Sequence, residues 1–223
     1  MNKLISIQEA VAKIDDGMSV MVGGFMGCGN PHGLIDGLIA KGVKDLTIIC
    51  NDASFPDYGI GKMIVNKQVK KLIATHVGLN PEVSVQMNSN ELEVVLIPQG
   101  SLAEMIRAGG AGLGGVLTPT GIGTVIEYST HVVSKVEVDG KPYLLERPLR
   151  ADVAIIAGHL IDETGNIWYK GTTRNFNQVM ATAADLVIAE AEQMVAIGAI
   201  EPENVVTPGI FVDYIVYGGK SHG

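Results

Sequence analysis

Cysteine is nearly absent from this sequence, which holds only Cys28 and Cys50. Two cysteines cannot build a disulfide framework or a zinc cluster, so the chain is expected to be reduced and free of metal. His76 and His159 each follow an apolar run with no Asp or Cys at ligand spacing, which points away from a metal centre. Aromatic residues make up only 5%, leaving the core to Val, Ile, Leu, Ala and Met. Buried parallel strands and their covering helices use that set. Basic residues are outnumbered, 16 Lys and Arg against 24 Asp and Glu for a formal charge of −8, and the longest basic run is Lys70-Lys71. A phosphate backbone finds little to hold there, so nucleic acid is not an expected partner. No apolar stretch approaches the ~18 residues of a membrane span. The N-terminus opens into a helix pattern rather than a basic, apolar secretion signal, so a cytoplasmic protein is expected.

What the sequence has in excess is glycine, 28 of 223 residues, roughly one in eight against an average near 7%. Around these glycines, short apolar runs alternate with helix patterns. Ser6-Ile7-Gln8-Glu9 is a capping box opening a helix to about Ile14. Met18 to Val22 has strand length and runs into a glycine-rich loop, after which Asn30-Pro31 suits N-cap and first helical position and Gly42 a helix end. Further strands are expected at Leu46–Cys50, Lys71–Thr75, Leu92–Ile97, Val153–Ala157 and Leu186–Ala189. Ser101-Leu102-Ala103-Glu104 reads as a second capping box, opening a helix to about Arg107, and a further helix is expected around Asn177–Ala184. Val132–Val138 and Tyr143–Glu146 flank Asp139-Gly140, a hairpin signal, and Ile167–Tyr169 follows a second turn. The pattern specifies an α/β fold: one domain over residues 1–223, an open and mostly parallel sheet with helices on both faces and an antiparallel hairpin insertion.

The glycines gather in two clusters. In the first, Gly23, Gly24, Phe25, Met26, Gly27, Cys28 and Gly29 lie between a strand and a helix, where amides near the helix N-terminus could hold phosphate or carboxylate. A tight turn with no ligand reads the same residues equally well. The spacing fits neither a dinucleotide fingerprint nor a P-loop. The second cluster puts seven glycines between Gly109 and Gly123, amid Leu113, Val116, Leu117 and Ile122, a length of loop that usually serves binding.

Asp16 to Pro31 resembles, position by position, the first-subunit signature of the family I CoA-transferases: Asp-Gly, two residues, three apolar, Gly-Gly-Phe, three residues, Gly-x-Pro. Asn51-Asp52, Pro98-Gln99-Gly100, the Arg107–Thr124 segment, Glu146-Arg147-Pro148 and Thr207-Pro208-Gly209 extend the resemblance over nearly the whole chain. The resemblance implies the α subunit of a CoA-transferase exchanging CoA between short-chain acyl-CoA and acetate, acetoacetate or butyrate. It implies CoA as co-substrate with no tightly bound cofactor, and CoA contacts from the Gly23–Gly29 loop. It also implies a β subunit carrying the nucleophilic glutamate, in an α2β2-type assembly. Such enzymes carry that glutamate in Ser-Glu-Asn-Gly, which this chain lacks, so no catalytic nucleophile is expected here. A non-catalytic nucleotide-binding or regulatory α/β domain is the alternative.

Other residues admit two readings. Glu190 ends an apolar run and either faces the ligand edge of the sheet or is a solvated strand end. Glu104 reads as a helix capper rather than a base. Arg107, Lys170 and Arg174 could meet CoA phosphates or form surface ion pairs, and Cys28 could be accessible to alkylators.

Overall fold

A computed structural model describes residues 3–218. The capping box forms as expected, with the Ser6 hydroxyl accepting from the Glu9 amide and Glu9 reaching back to the Ser6 amide. Helix α1 (Ile7–Val11) is shorter than its pattern: the Lys13 and Ile14 amides turn back to the Ala10 and Val11 carbonyls at 3.1 Å, and Lys41 Nζ also donates to the Val11 carbonyl at 3.1 Å. There follow β1 (Ser19–Val22), α2 (His32–Lys41), β2 (Leu46–Cys50), α3 (Gly61–Val65), β3 (Val69–Ala74), α4 (Pro81–Asn88), β4 (Glu93–Leu96) and α5 (Gln99–Gly110). A small antiparallel sheet comes next, from β5 (Val116–Thr118), β6 (Val132–Val138) and β7 (Lys141–Glu146). The chain then completes the main sheet with β8 (Ala151–Asp162), β9 (Ile167–Trp168), α6 (Asn177–Met180), β10 (Ala184–Val195) and β11 (Tyr214–Tyr217).

The main sheet has the order β11-β10-β8-β1-β2-β3-β4, all parallel, with β9 antiparallel on β8. Its strands alternate between two cores. Val20, Val22, Ile48, Val153 and Ile155 join the cluster under α1 to α4, while Met21, Ile49, Ala154 and Ile156 join the cluster under α5 and α6. Each such buried side chain contributes about 1.5–3 kcal/mol, so a one-residue slip would exchange the two cores and is disfavoured. No helix among the described residues is long and apolar enough to cross a membrane.

Three further local expectations change: the helix expected around Asn177–Ala184 stops at Met180, and Ala184 already opens β10. Helix α5 starts at Gln99, not after Ser101, because Pro98 takes the N-cap position and its carbonyl accepts from the Leu102 amide at 2.9 Å. Ser101 is then buried inside the helix, and Glu104 pairs with Arg107 at 2.7 Å instead of capping. The helix also takes in Gly109 and Gly110, where a Cβ would strike the Leu149 carbonyl and Thr182. The second glycine cluster is therefore a helix end, a strand and turns rather than one long loop. The Asp139-Gly140 hairpin forms, with φ of 51° and 73° at the two turn residues, as a type I′ turn requires.

Beneath the small sheet, Ser101 of α5, His131 and Glu146 of β7 are buried together, with His131 Nε2 3.9 Å from Glu146 Oε1. Neither carboxylate oxygen of Glu146 has a hydrogen-bond partner among the described residues. Burial pushes the Glu146 carboxyl above its ordinary range, offset only in part by the neighbouring Ser101 hydroxyl, and the His131 imidazole below its own. Folded Glu146 thus holds its proton more tightly than the unfolded chain does. Its contribution to stability is full below the unfolded value near 4.5 and is lost as pH rises through the raised folded value. Glu146→Gln should flatten that part of the profile and raise the neutral-pH melting temperature by about 2–4 °C. Melting curves of both proteins between pH 4 and 8 test this, and parallel curves would contradict it.

Candidate functional site

The order of the main sheet reverses between β1 and β8. From β1 the chain moves outward through β2, β3 and β4 on one side, and from β8 through β10 and β11 on the other. Helix α2, leaving β1, belongs to one core cluster, and α6, joining β8 to β10, to the other. A crevice opens where such connections part, outside the carboxyl ends of the strands. Here β1 stops at Val22, level with Ile155, while β8 and β10 run on paired to Asp162 and Val195. The Gly23–Gly29 loop fills this step.

The loop folds as a small hairpin. Phe25 and Cys28 exchange backbone hydrogen bonds at 3.0 and 2.9 Å around Met26 (φ 51°) and Gly27 (φ 81°). Three polar side chains fix it from below. The Gly24 amide donates to Asn175 Oδ1 at 3.0 Å, and the Met26 amide to Asp52 Oδ1 at 2.8 Å. Asn30 Nδ2 donates to the Gly23 carbonyl. Asn177 adds a fourth anchor, donating to Gly29 O at 2.9 Å while accepting from the Ala157 amide at 3.0 Å. A Cβ on Gly24 would fall inside the Asn30 carboxamide, at a φ of +117° that side chains avoid. Gly24→Val would therefore break the loop itself, whatever the loop binds.

Most of the loop's amides are turned inward; only those of Gly27 and Gly29 lack an acceptor among the described residues. The expected anion site at the start of α2 is filled from within. Glu190 accepts from the Gly33 amide at 2.9 Å and the Leu34 amide at 2.7 Å. It is 8% exposed, so the solvated strand-end reading does not hold. Burial pushes its carboxyl upward against the pull of the two amides. Asn30 is not the side-chain cap of α2 either: Pro31 holds the N-cap position and the Asn30 side chain serves the loop and the Ile60 amide.

The hairpin separates two cavities, and Cys28, which is exposed, borders both. The smaller, about 200 Å³, is lined by His32, Tyr58, His159, Lys170, Glu190 and Glu192 among others. His32 Nε2 donates to the Gly27 carbonyl at 3.1 Å, its ring lies 4.6 Å from that of Tyr58, and burial lowers its pKa. His159 Nδ1 pairs with Glu192.

The larger cavity, about 550 Å³, lies between the hairpin and the start of α5. Phe25, Ala103 and Phe176 give it apolar walls, and Asn51, Gln99, Gly100 and Asn175 line the rest. Gln99 Nε2 donates to Asn51 Oδ1 at 2.8 Å, and the Thr75 hydroxyl, which donates to the Asn51 backbone carbonyl at 2.8 Å, lies 3.0 Å from the same Oδ1. This leaves the Asn51 amide nitrogen as a donor. No side chain caps α5, and Gln99 and Gly100 of its first turn line this cavity, which places the positive end of the helix dipole beside it. Carboxamide donors, an uncapped helix start and apolar walls suit a short acyl chain ending in a carboxylate.

Of the candidate cations, Lys170 alone borders a cavity; Arg107 pairs with Glu104 on the surface and Arg174 donates to Gln178 at 2.8 Å. His76 lies at the end of β3 beside Asp52, away from His159. From the sequence Asn30 is expected only as an N-cap and Asp52, Asn175 and Asn177 have no anchoring role, although clustered Asn and Asp beside glycines at strand ends are a signal for loop anchoring.

The family model of the Coenzyme A transferases matches residues 4–218. The chain is 50% identical over 219 residues to the acetate CoA-transferase subunit alpha of Escherichia coli K12, covering 98% of each chain. It is 53% identical over 215 residues to the acetoacetyl-CoA:acetate/butyrate CoA transferase alpha subunit of Clostridium acetobutylicum, covering 96% of this chain and 97% of that one. Among solved structures, an acyl-CoA transferase of E. coli O157:H7, in a thioester complex with CoA, superposes with a TM-score of 0.86 at 26% identity. The match takes in 97% of this chain and 47% of that one, so this chain spans about half of the solved polypeptide.

Proposed function

The chain belongs to the coenzyme A transferase family as an alpha subunit, and we propose that, assembled with a β subunit, it moves CoA between a short-chain acyl-CoA and acetate, acetoacetate or butyrate. The observation that carries the reading is the cavity between the Phe25–Cys28 hairpin and the uncapped start of α5. The carboxylate, or the thioester carbonyl it becomes, sits against Asn51, Gln99 and the first amides of α5. The acyl chain lies along Phe25, Ala103 and Phe176. The Gly23–Gly29 hairpin lines the path of CoA.

CoA exchange runs through a glutamate carboxylate that forms an acyl anhydride and then a glutamyl-CoA thioester. Developing oxyanions are stabilised by fixed donors that need no reorganisation. Gln99 and Asn51, which line the acyl cavity, are such donors, and the partner supplies the glutamate. The competing reading, a regulatory nucleotide-binding domain, loses support because Glu190 already occupies the phosphate position at the start of α2.

Hydrogen exchange should slow in residues 109–123 when the partner is added to the isolated chain, and in residues 23–29 when acyl-CoA is added to the assembled enzyme. Transfer of CoA from acetoacetyl-CoA to acetate should accompany it. An assembly that binds acyl-CoA without protecting the hairpin, or that transfers nothing, would overturn this reading.

A further inference from the structure

Glu190 holds the start of α2 in a way the proposed reaction does not use directly. Its two oxygens separately accept the Gly33 and Leu34 amides, joining the first turn of α2 to the middle of β10. In the same turn, His32 Nε2 donates to the Gly27 carbonyl, the second residue of the hairpin turn. The His32 ring packs beside Tyr58, which also backs Gly27. Contacts thus run without a break from Glu190 through the first turn of α2 and His32 to the tip of the hairpin. On the other side of that tip lies the acyl cavity.

We propose that Glu190 is a positioning residue: by clasping the Gly33 and Leu34 amides it fixes His32, and through His32 the Gly27 carbonyl and the face that the hairpin turns to the substrate. The inference rests on the proposed reading of the hairpin as part of the CoA site. A carboxylate suits this task better than a carboxamide, because both of its oxygens accept. In Glu190→Gln one amide keeps an acceptor and the other meets an N–H. A hydrogen bond to a charged group, once lost, opens such a contact about ten- to hundredfold more often. Glu190→Asp keeps both acceptors and the charge on a stem one carbon shorter.

The test compares wild type, Glu190→Gln and Glu190→Asp, each assembled with the partner subunit. For Glu190→Gln, exchange at the amides of residues 24–34 should quicken about tenfold or more, while the strands β2 and β8 keep wild-type protection. kcat should fall about tenfold, with KM for acyl-CoA changed by less than about threefold, since the substrate still binds but meets a hairpin less often in register. Glu190→Asp should recover a substantial part of both losses. Exchange at residues 24–34 that stays at the wild-type rate in Glu190→Gln would overturn the inference, as would quickened exchange with kcat unchanged. Were the wild-type assembly to transfer no CoA, the functional reading would fall, while the exchange comparison would still decide whether Glu190 fixes the hairpin. Loss of protection throughout the sheet in Glu190→Gln, unrelieved in Glu190→Asp, would reduce Glu190 to a general folding residue and refute its positioning role.

Discussion

Purified without a partner, the chain is expected to exchange no CoA between acetoacetyl-CoA and acetate, and to give measurable turnover once the β subunit is added. The reaction needs a carboxylate nucleophile, and the two that border the cavities are engaged. Glu190 is held by two helix amides, and Glu192 is paired with His159. Neither borders the larger cavity, where the acyl group is proposed to sit. Borohydride trapping of the thioester intermediate should label the partner and leave this chain unmodified. Label on a glutamate of this chain, or turnover by the chain alone, would disprove the division of labour.

The second large effect is expected from Gln99→Glu. The new carboxylate would stand at the first position of α5, within reach of the site proposed for the substrate carboxylate. Like charges about 4 Å apart repel by ~4 kcal/mol at an effective dielectric constant near 20. Partial solvent access reduces this, so a rise in KM for acetate or acetoacetate of about 10²-fold is expected. The hydrogen bond to Asn51 is lost, at about 0.5–1.5 kcal/mol, while an acidic residue in the first turn favours the helix, so the melting temperature should fall by no more than about 2–4 °C. That separates lost binding from lost structure. Gln99→Ala, which removes a donor without adding charge, should cost about tenfold. Steady-state kinetics with each carboxylate give the measurement, and a wild-type KM for Gln99→Glu would remove the substrate from this cavity.

The sheet and its insertion were legible because their signals are local. Leu46–Cys50 is an apolar run bounded by turn residues, Asp139-Gly140 fixes its own hairpin, and Ser6 and Glu9 meet within one turn. The start of α5 misled because two local signals compete there. A Ser-x-x-Glu string lies one turn inside a helix that Pro98 had already begun, and the proline's fixed φ prevails. The hairpin was legible as a glycine motif, but its anchors were not. Glu190 is 156 residues from Leu34, and Asn175 is 151 from Gly24. No window on the sequence joins such residues; only the crossing of β8 and β10 past the end of β1 does. The same distance explains why Glu190 looked like a solvated strand end: its partners are backbone amides, which leave no mark in side-chain composition.

The partition of the crevice has a consequence for how activity can diverge. The hairpin has one flank toward α2, whose residues belong to one core, and one toward α5, whose residues belong to the other. The wall proposed to measure the acyl chain can therefore be rebuilt at Ala103 without disturbing the clasp at Glu190, whereas Phe176 lies between the hairpin anchors Asn175 and Asn177. Selection for longer or bulkier acids can act at Ala103 on the α5 flank while Asn175, Asn177 and the α2 flank keep the hairpin in register, so substrate range can drift with the hairpin geometry held.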